Sequence, residues 1–301
     1  MKKGIILRDK CPMCNYHSSN PVYKRSFNEE IMRNYMDINY FGHADLDFLR
    51  DVDFEIVKCT KCRGYYQKYV LDEEKSDELY NDWIDPKLAQ EWNKNNENEN
   101  KRFYSHILIF AKNYLNRESS RIKVLDYGAG FGDSLLVANE MGFDTFAYEY
   151  SAERVQSLQD KGIKVIDDES EQSFDFIIVN NVLEHLTSPA ELLRNVFNKM
   201  SKNALCFISV PDCTKIEEKL ADSNIITDPK DLQILFLRAN INAFQHINFF
   251  TNSSLRSLLK GQSIKILSPF KQAGIKPVSA KSFLRPFYRY YFGTSFFLVK
   301  A

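Results

Sequence analysis

An α/β fold, with a doubly wound and largely parallel sheet behind a small cysteine-rich module, is what this 301-residue sequence predicts. Three observations predict it. An apolar run ends in an acid and then a glycine-rich turn, Val124-Leu-Asp-Tyr-Gly-Ala-Gly-Phe-Gly132. Short apolar segments then alternate with helical patterns as far as Pro211, in the order β-α-β-α-β-β-α-β. Four of the six cysteines form two C-x-x-C pairs, Cys11-Pro-Met-Cys14 and Cys59-Thr-Lys-Cys62.

The cysteines come first along the chain. Two C-x-x-C knuckles supply the four thiolates of one tetrahedral, closed, structural Zn²⁺ site, which leaves no open position for chemistry. The 44 residues between Cys14 and Cys59 exceed the common spacing of a zinc ribbon, so an insert must fold between the knuckles. His17 and His43 are alternative ligands, but four cysteines suffice. The bland alternative is two chance pairs of thiols in a reduced protein. Cys206 and Cys213 read as core packing, because buried thiols are common core residues. Residues 1–70 are therefore expected to form a zinc-binding module. A helical connector follows over 71–120: an acid-rich stretch helical around Glu73–Tyr80, a polar run from Trp92 to Asn100, and a helix over Lys101–Leu115. That helix carries apolar residues at Phe103, Ile107, Phe110, Ala111 and Tyr114, a helical period.

The glycine-rich turn opens the third region. A strand over Val124–Asp126 turns into a helix through glycines at alternate positions, which keeps the backbone bare enough for a ligand to lie against it. The spacing is G-x-G-x-G, unlike the G-x-G-x-x-G of dinucleotide sites. A second strand ends at Tyr148-Glu149. Glu149 lies 23 residues after Asp126, close to the offset at which an acid meets ribose hydroxyls in Rossmann units. A helix over Ala152–Lys161, a short strand over Gly162–Ile166 and a fourth strand over Ser173–Asn181 follow. The continuous apolar core of that fourth strand suits burial on both faces. Val182 to Pro189 leads into a helix to about Met200 and a fifth strand over Ala204–Val210. Ser263–Pro269 and Gly293–Lys300 read as the last two strands.

The ordered set Asp126-Tyr-Gly-Ala-Gly-Phe-Gly132, Tyr148-Glu149-Tyr-Ser151, Phe174-Asp175, Leu183-Glu184-His185-Leu186 with Pro189, and Ser209-Val-Pro211 resembles class I, Rossmann-like methyltransferases that use S-adenosylmethionine (SAM). More narrowly, it is similar to the branch often fused to an N-terminal zinc-binding module, which includes sugar C-methyltransferases. Gln245-His246-Ile-Asn-Phe-Phe-Thr251, with Ser254-Leu255 and Leu258-Leu259, also matches that branch. The resemblance covers residues 121–260 well and the two ends less tightly. It implies a SAM-binding domain over 121–301 with seven strands, the last antiparallel. It also implies that Asp126, Gly128, Ala129, Gly130 and Gly132 face the methionine and ribose of SAM, that Glu149 and Tyr150 lie at the ribose, and that Asn180 and Asn181 take the far side. Tyr80 and Trp83 resemble aromatic residues that close over the ligand in related enzymes.

The acceptor is approached through the remaining segments. His185 sits just past the fourth strand and His246 lies in the family's H-x-x-x-F segment, so either imidazole is a candidate acid–base group near neutral pH. The excursion 212–245 reads as a cap. The basic aromatic insert 276–292 carries Arg285 and Arg289 at i, i+4, a spacing suited to gripping a phosphate. Pro286 fits best in the first turn of such a helix. The expected acceptor is a small anionic molecule, a nucleotide-linked or phosphorylated sugar in glycan or secondary-metabolite biosynthesis. Two alternatives stand beside it: methylation of a protein or RNA docked by the zinc module, and a non-catalytic SAM-binding scaffold. With 40 basic and 40 acidic side chains, no general affinity for nucleic acid is expected. The N-terminus is charged too early for a signal peptide, and no apolar run approaches the roughly 18 residues of a membrane span. A cytoplasmic enzyme is the expectation.

Overall fold

The computed structural model describes residues 2–85, 91, 95–167, 169, 171–221, 223–260, 262, 264–273 and 280–300, with side chains for all of these except 224 and 280–285. They form two compact units. One combines Met1–Pro86, Glu184–Ala190 and Pro211–Lys260; the other combines Lys87–Leu183, Glu191–Val210 and Gly261–Ala301. The units cut across the sequence divisions at 70 and 120, since the 211–260 stretch groups with the N-terminal residues.

Seven strands make the sheet of the second unit: β1 (Lys123–Tyr127), β2 (Asp144–Tyr148), β3 (Lys164–Val165), β4 (Phe174–Asn180), β5 (Met200–Ser209), β6 (Ile264–Ile266) and β7 (Ser295–Lys300). Their order is β6-β7-β5-β4-β1-β2-β3. β1 to β5 pair in parallel, and β7 runs antiparallel to both β5 and β6. This is the doubly wound, seven-stranded α/β sheet with an antiparallel last strand that the sequence predicts. β1 lies between β2 and β4, so the winding reverses there, and open α/β sheets bind ligands outside the carboxyl ends of the strands at such a point. The apolar run of β4 is explained by its place: Phe176, Ile177, Ile178 and Val179 are fully buried in mid-sheet.

Helices α1 (Glu97–Leu115), α2 (Asp133–Glu140), α3 (Ala152–Asp160), α4 (Pro189–Asn198) and α5 (Ala280–Phe292) accompany the sheet. α1 starts four residues before the predicted Lys101, because Glu97 and Glu99 add a polar first turn that suits the positive end of a helix. Its apolar stripe behaves as predicted: Ile107, Leu108 and Ala111 are buried, and the Phe110 ring lies 4.1 Å from that of Phe297 on β7. In α5, Pro286 stands inside the helix rather than in its first turn. A proline there leaves one carbonyl of the preceding turn without its amide. The polar run at 92–94 and the start of the basic insert at 276–279 lie outside the described residues.

The first unit is built on a four-stranded antiparallel sheet of Asn248–Phe249, Tyr65–Gln67, Asp53–Cys59 and Ser19–Ser26, in that order. The insert between the knuckles is thus the strand Ser19–Ser26, the helix Glu30–Asn39 and the strand Asp53–Cys59. The helix Pro229–Arg238 begins with Asp228 accepting from the Lys230 amide and with proline in its first turn. It delivers Phe236 into a ring cluster, with centroids 5.0 Å from Tyr35, 5.5 Å from Tyr23 and 5.7 Å from Phe54. Burying one such side chain stabilises by about 1.5–3 kcal/mol. This aromatic core ties the excursion to the insert between the knuckles.

Candidate functional sites

The turn after β1 carries the first site. Gly128, Gly130 and Gly132 have φ of +85°, +57° and +87°. A Cβ on Gly128 would meet Val182 Cγ2 at 2.7 Å, and one on Gly132 would meet Leu158 Cδ2 at 2.7 Å. Those two glycines serve packing as well as conformation. Around Gly130 nothing lies within 4 Å of a Cβ position. Its backbone faces open space, as a cradle for a cofactor requires.

The acids of this loop are placed differently from one another. Glu149 Oε2 accepts from the Gly130 amide at 2.8 Å, and Oε1 accepts from Tyr150 and Ser151 amides at 3.1 Å each. A carboxylate has about four acceptor positions. Three are filled, so Glu149 braces the glycine loop and keeps one further position on Oε2. Asp126 is buried and accepts from Ser134 Oγ at the start of α2. Burial, against the Ser134 hydrogen bond and with Glu149 nearby, pushes the Asp126 carboxyl up to about 7. Ala129 is buried beside the turn, whereas Tyr150 is exposed. At the end of β4, Asn180 Nδ2 donates to Tyr104 Oη at 3.3 Å, and Asn181 takes a left-handed conformation while its amide donates to Ser209. Tyr104, on α1, carried no sequence signal beyond its neighbour Phe103.

A second site lies in the first unit, where Glu184, His185 and His246 bring one ligand atom each within 4.8 Å of one another. Backbone pairing holds the segments together: the Ile247 amide donates to Glu184 O at 2.8 Å, and Asn248 Nδ2 donates to Leu186 O at 2.7 Å. Nδ1 of His185 is 2.9 Å from Gln245 O, and Nδ1 of His246 is 2.9 Å from Asn240 O. A carbonyl only accepts, so both rings carry a proton on Nδ1. The rings meet edge to face with centroids 4.9 Å apart. Burial lowers the pKa of His246, which keeps the ring neutral. Burial also pushes the Glu184 carboxyl up to about 8. Tyr80 Oη lies 3.3 Å from His185 Nδ1. Trp83 behaves otherwise: it is buried, donates to Glu78 Oε1 at 3.2 Å and packs against Tyr40. The two aromatic residues grouped by resemblance thus part. A π-helical turn over Leu79–Trp83 puts Tyr80 beside the histidine and Trp83 in the core.

Arg8 is the residue the sequence conceals. Buried under the strand Asn248–Phe249, it donates to Gln67 O through Nε at 2.8 Å and to Asn248 Oδ1 through Nη1 at 2.7 Å, and it also reaches Ile247 O. Burial lowers its pKa to about 9, still charged at neutral pH. A lone arginine near an N-terminus gives no pattern to read.

The four knuckle cysteines converge as their spacing predicts. Cys11 and Cys62 sulfurs are 3.6 Å apart, as are those of Cys14 and Cys59. That is far beyond a disulfide, and close to the edge of about 3.8 Å expected for a tetrahedron with 2.3 Å metal–sulfur bonds. Both knuckles have the same construction. The Asn15 amide donates to Cys11 O and the Arg63 amide to Cys59 O, with Asn15 and Arg63 both left-handed. The donor set fits Zn²⁺. His17 lies apart and exposed, 4.0 Å from Asp9, and His43 is not in the cluster. Cys206 and Cys213 are buried packing residues.

Of the proposed acceptor contacts, the Arg285 side chain falls outside the described residues. The Arg289 guanidinium lies 5.6 Å from the Phe297 ring and 5.9 Å from that of Phe207, a cation–π arrangement on the sheet.

Residues 93–268 match a family described as a methyltransferase domain. No curated protein matches the chain. Among solved structures, the plantazolicin methyltransferase BpumL in complex with SAH is similar, with a TM-score of 0.50 and 19% identity over 75% of this chain and 93% of that one. The same enzyme with a pentazolic desmethylPZN analog and SAH gives a TM-score of 0.50 and 17% identity, covering 75% and 94%. At such identity the likeness is one of fold. The family match spans more than half the sequence and contains the glycine loop, both histidines and the whole parallel sheet. The chain belongs to the methyltransferase-domain family and is a SAM-dependent methyltransferase.

Proposed function

We propose that the enzyme methylates a small anionic acceptor, a nucleotide-linked or phosphorylated sugar, with SAM at the β1–α2 turn and the Glu184–His185–His246 cluster handling the acceptor's proton. The observation that carries this reading is the pair of imidazoles held beside Glu184 by Nδ1–H bonds to the Gln245 and Asn240 carbonyls. When bound, SAM supplies an electrophilic methyl on its sulfonium. Gly130 leaves the approach open, Glu149 offers its remaining acceptor position to a ribose hydroxyl, and Asp126 holds α2 to β1 beneath the turn. The SAH held by BpumL supports this cofactor assignment. Ala129, Tyr150, Asn180 and Asn181 complete the proposed cofactor contacts.

If the acceptor is a hydroxyl or an enolisable carbon, a base must take its proton. His246 suits that task because it is neutral and part-buried, with a lone pair at Nε2. His185, with Tyr80 beside it, is the second proton carrier. Arg289 and Arg285 are assigned to the acceptor's phosphate. Cys11, Cys14, Cys59 and Cys62 hold one structural zinc. The sugar assignment rests on the branch resemblance and the basic aromatic insert. Among the described residues no helix is long and apolar enough to cross a membrane, in keeping with a cytoplasmic location.

Methyl transfer from SAM to a panel of sugar nucleotides tests the reading. His246→Ala should lower kcat with SAM affinity nearly unchanged, and Arg289→Ala should raise KM more than it lowers kcat. Transfer to a protein or tRNA that no sugar nucleotide inhibits overturns the acceptor assignment. Tight SAM binding without turnover on any acceptor class supports a scaffold instead.

A further inference from the structure

Glu184 poses a physical problem that proton transfer alone does not solve. Its side chain is 1% exposed, and neither Oε1 nor Oε2 has a hydrogen-bond partner among the described residues. An unpaired buried carboxylate is costly, and such groups are normally hydrogen-bonded, paired or bound to a metal. Nδ1 of each neighbouring imidazole is taken up by a backbone carbonyl, Asn240 O for His246 and Gln245 O for His185. His185 Nε2 lies 3.9 Å from Glu184 Oε1. That is too long for a hydrogen bond, but it is within the span of two ligands on one ion at about 2.1 Å each. One ligand atom from each of Glu184, His185 and His246 lies within 4.8 Å of the others.

We infer that Glu184, His185 and His246 form a second metal site, which takes one divalent first-row cation. Two imidazoles and one carboxylate are the donor set of an open, catalytic-type centre, with positions left for water or substrate. They differ from the closed thiolate site formed by the four cysteines. The carbonyls of Gln245 and Asn240 act as outer partners that fix the tautomer and orientation of each ligating ring. Tyr80 Oη, 3.3 Å from His185 Nδ1, adds a further contact to one ligand. With the cation bound, the three side chains would act as ligands rather than bases, and an acceptor oxygen at an open position would lose its proton to solvent. Metal binding itself rests only on the three side chains and does not depend on which acceptor is methylated.

The experiment is a metal titration of the full-length protein without SAM or acceptor. Zinc stoichiometry is measured by equilibrium dialysis, and Mn²⁺ binding by electron paramagnetic resonance, since Mn²⁺ prefers oxygen and imidazole to thiolate. The expected result is two zinc equivalents per chain, and Mn²⁺ bound at one site in protein already holding one zinc. Glu184→Gln and His246→Ala should each retain one zinc and weaken Mn²⁺ by more than about 100-fold, beyond the loss typical of an outer-shell partner. The retained zinc equivalent and an unchanged first thermal transition report that the unit carrying the cluster is folded in each variant. His185→Ala gives a third variant in case one of the others does not fold. A single zinc equivalent in the wild type with no Mn²⁺ signal overturns the inference, as does Mn²⁺ binding undiminished in Glu184→Gln. If Glu184→Gln abolishes methyl transfer although the wild type binds no second metal, the cluster handles protons only. The metal site is then refuted while the functional reading stands.

Discussion

Two glutamates, one in each unit, have opposite surroundings. Glu149 receives three backbone amides at 2.8–3.1 Å, while Glu184 receives no hydrogen bond among the described residues. The first is held in place by amides that belong to its own loop and to the glycine turn. The second is buried beside His185 and His246. A carboxylate well supplied with donors organises structure, and a carboxylate deprived of them waits for a proton or a cation. The contrast extends to the units. The cofactor loop is built from residues near one another in sequence, whereas the histidine cluster joins segments about sixty residues apart and is buttressed by Arg8 from the other end of the chain.

The largest expected effect breaks the unit that carries Glu184. Cys59→Ser with Cys62→Ser should release the zinc, at a loss on the order of 10 kcal/mol of metal-linked folding free energy in small zinc modules. The check is zinc content together with thermal unfolding, and SAM binding should survive. A protein that keeps its first transition unchanged after zinc removal would refute the structural role of the metal. Next comes Phe236→Ala, which removes the ring shared by Tyr23, Tyr35 and Phe54 and should cost about 3–5 kcal/mol in urea unfolding. A cost below about 1 kcal/mol, the range of a surface substitution, would mean that the excursion is not anchored by that ring.

Glu149→Gln tests the carboxylate that braces the glycine loop. Replacing hydrogen bonds to a charged group should weaken SAM binding by about 1.5–3 kcal/mol, as measured by calorimetry. Gly130→Val sharpens the same point. The open space leaves room for the side chain within the fold, so the stability cost should be about 1–2 kcal/mol of left-handed strain, while SAM affinity should collapse. Equal losses in stability and affinity would remove Gly130 from the cofactor's path.

The last prediction concerns Asp126. Its folded pKa is raised to about 7, above the unfolded value near 4, so the folded state binds the extra proton. The stability this contributes is fully present below pH 4 and is lost as pH rises through 7. Asp126→Asn should flatten that slope between pH 4 and 7 in SAM-free protein. An unchanged slope would mean that another group titrates there.

The sheet, its glycine turn and the knuckles were legible because their signals are local. Alternation of apolar segments with helical periods, glycines at alternate positions and paired cysteines are each set within a few residues. The antiparallel last strand and the place of Glu149 followed from the ordered motifs. The histidines were legible as candidates but their meeting was not. Nothing near Glu184 says that its two oxygens will find no donor, since donors are supplied or withheld by whatever packs against it. Tyr80 and Trp83 could each line a ligand or pack in the core for the same reason: a π-helical turn decides which way aromatic residues three positions apart will face.

By itself the sequence determined the order of strands and helices, the bare backbone at Gly130 and the four thiolates. Such features follow from short-range sterics, hydrophobic period and ligand count. Only the tertiary structure decided that Asn248–Phe249 would join the sheet begun at Ser19, that Arg8 would hold it there, and that His246 would arrive beside Glu184 and His185. Those contacts link segments up to 240 residues apart. They form because burying apolar faces such as that of Phe236 is non-directional, so the chain's own pattern leaves many partners open until the whole core is packed.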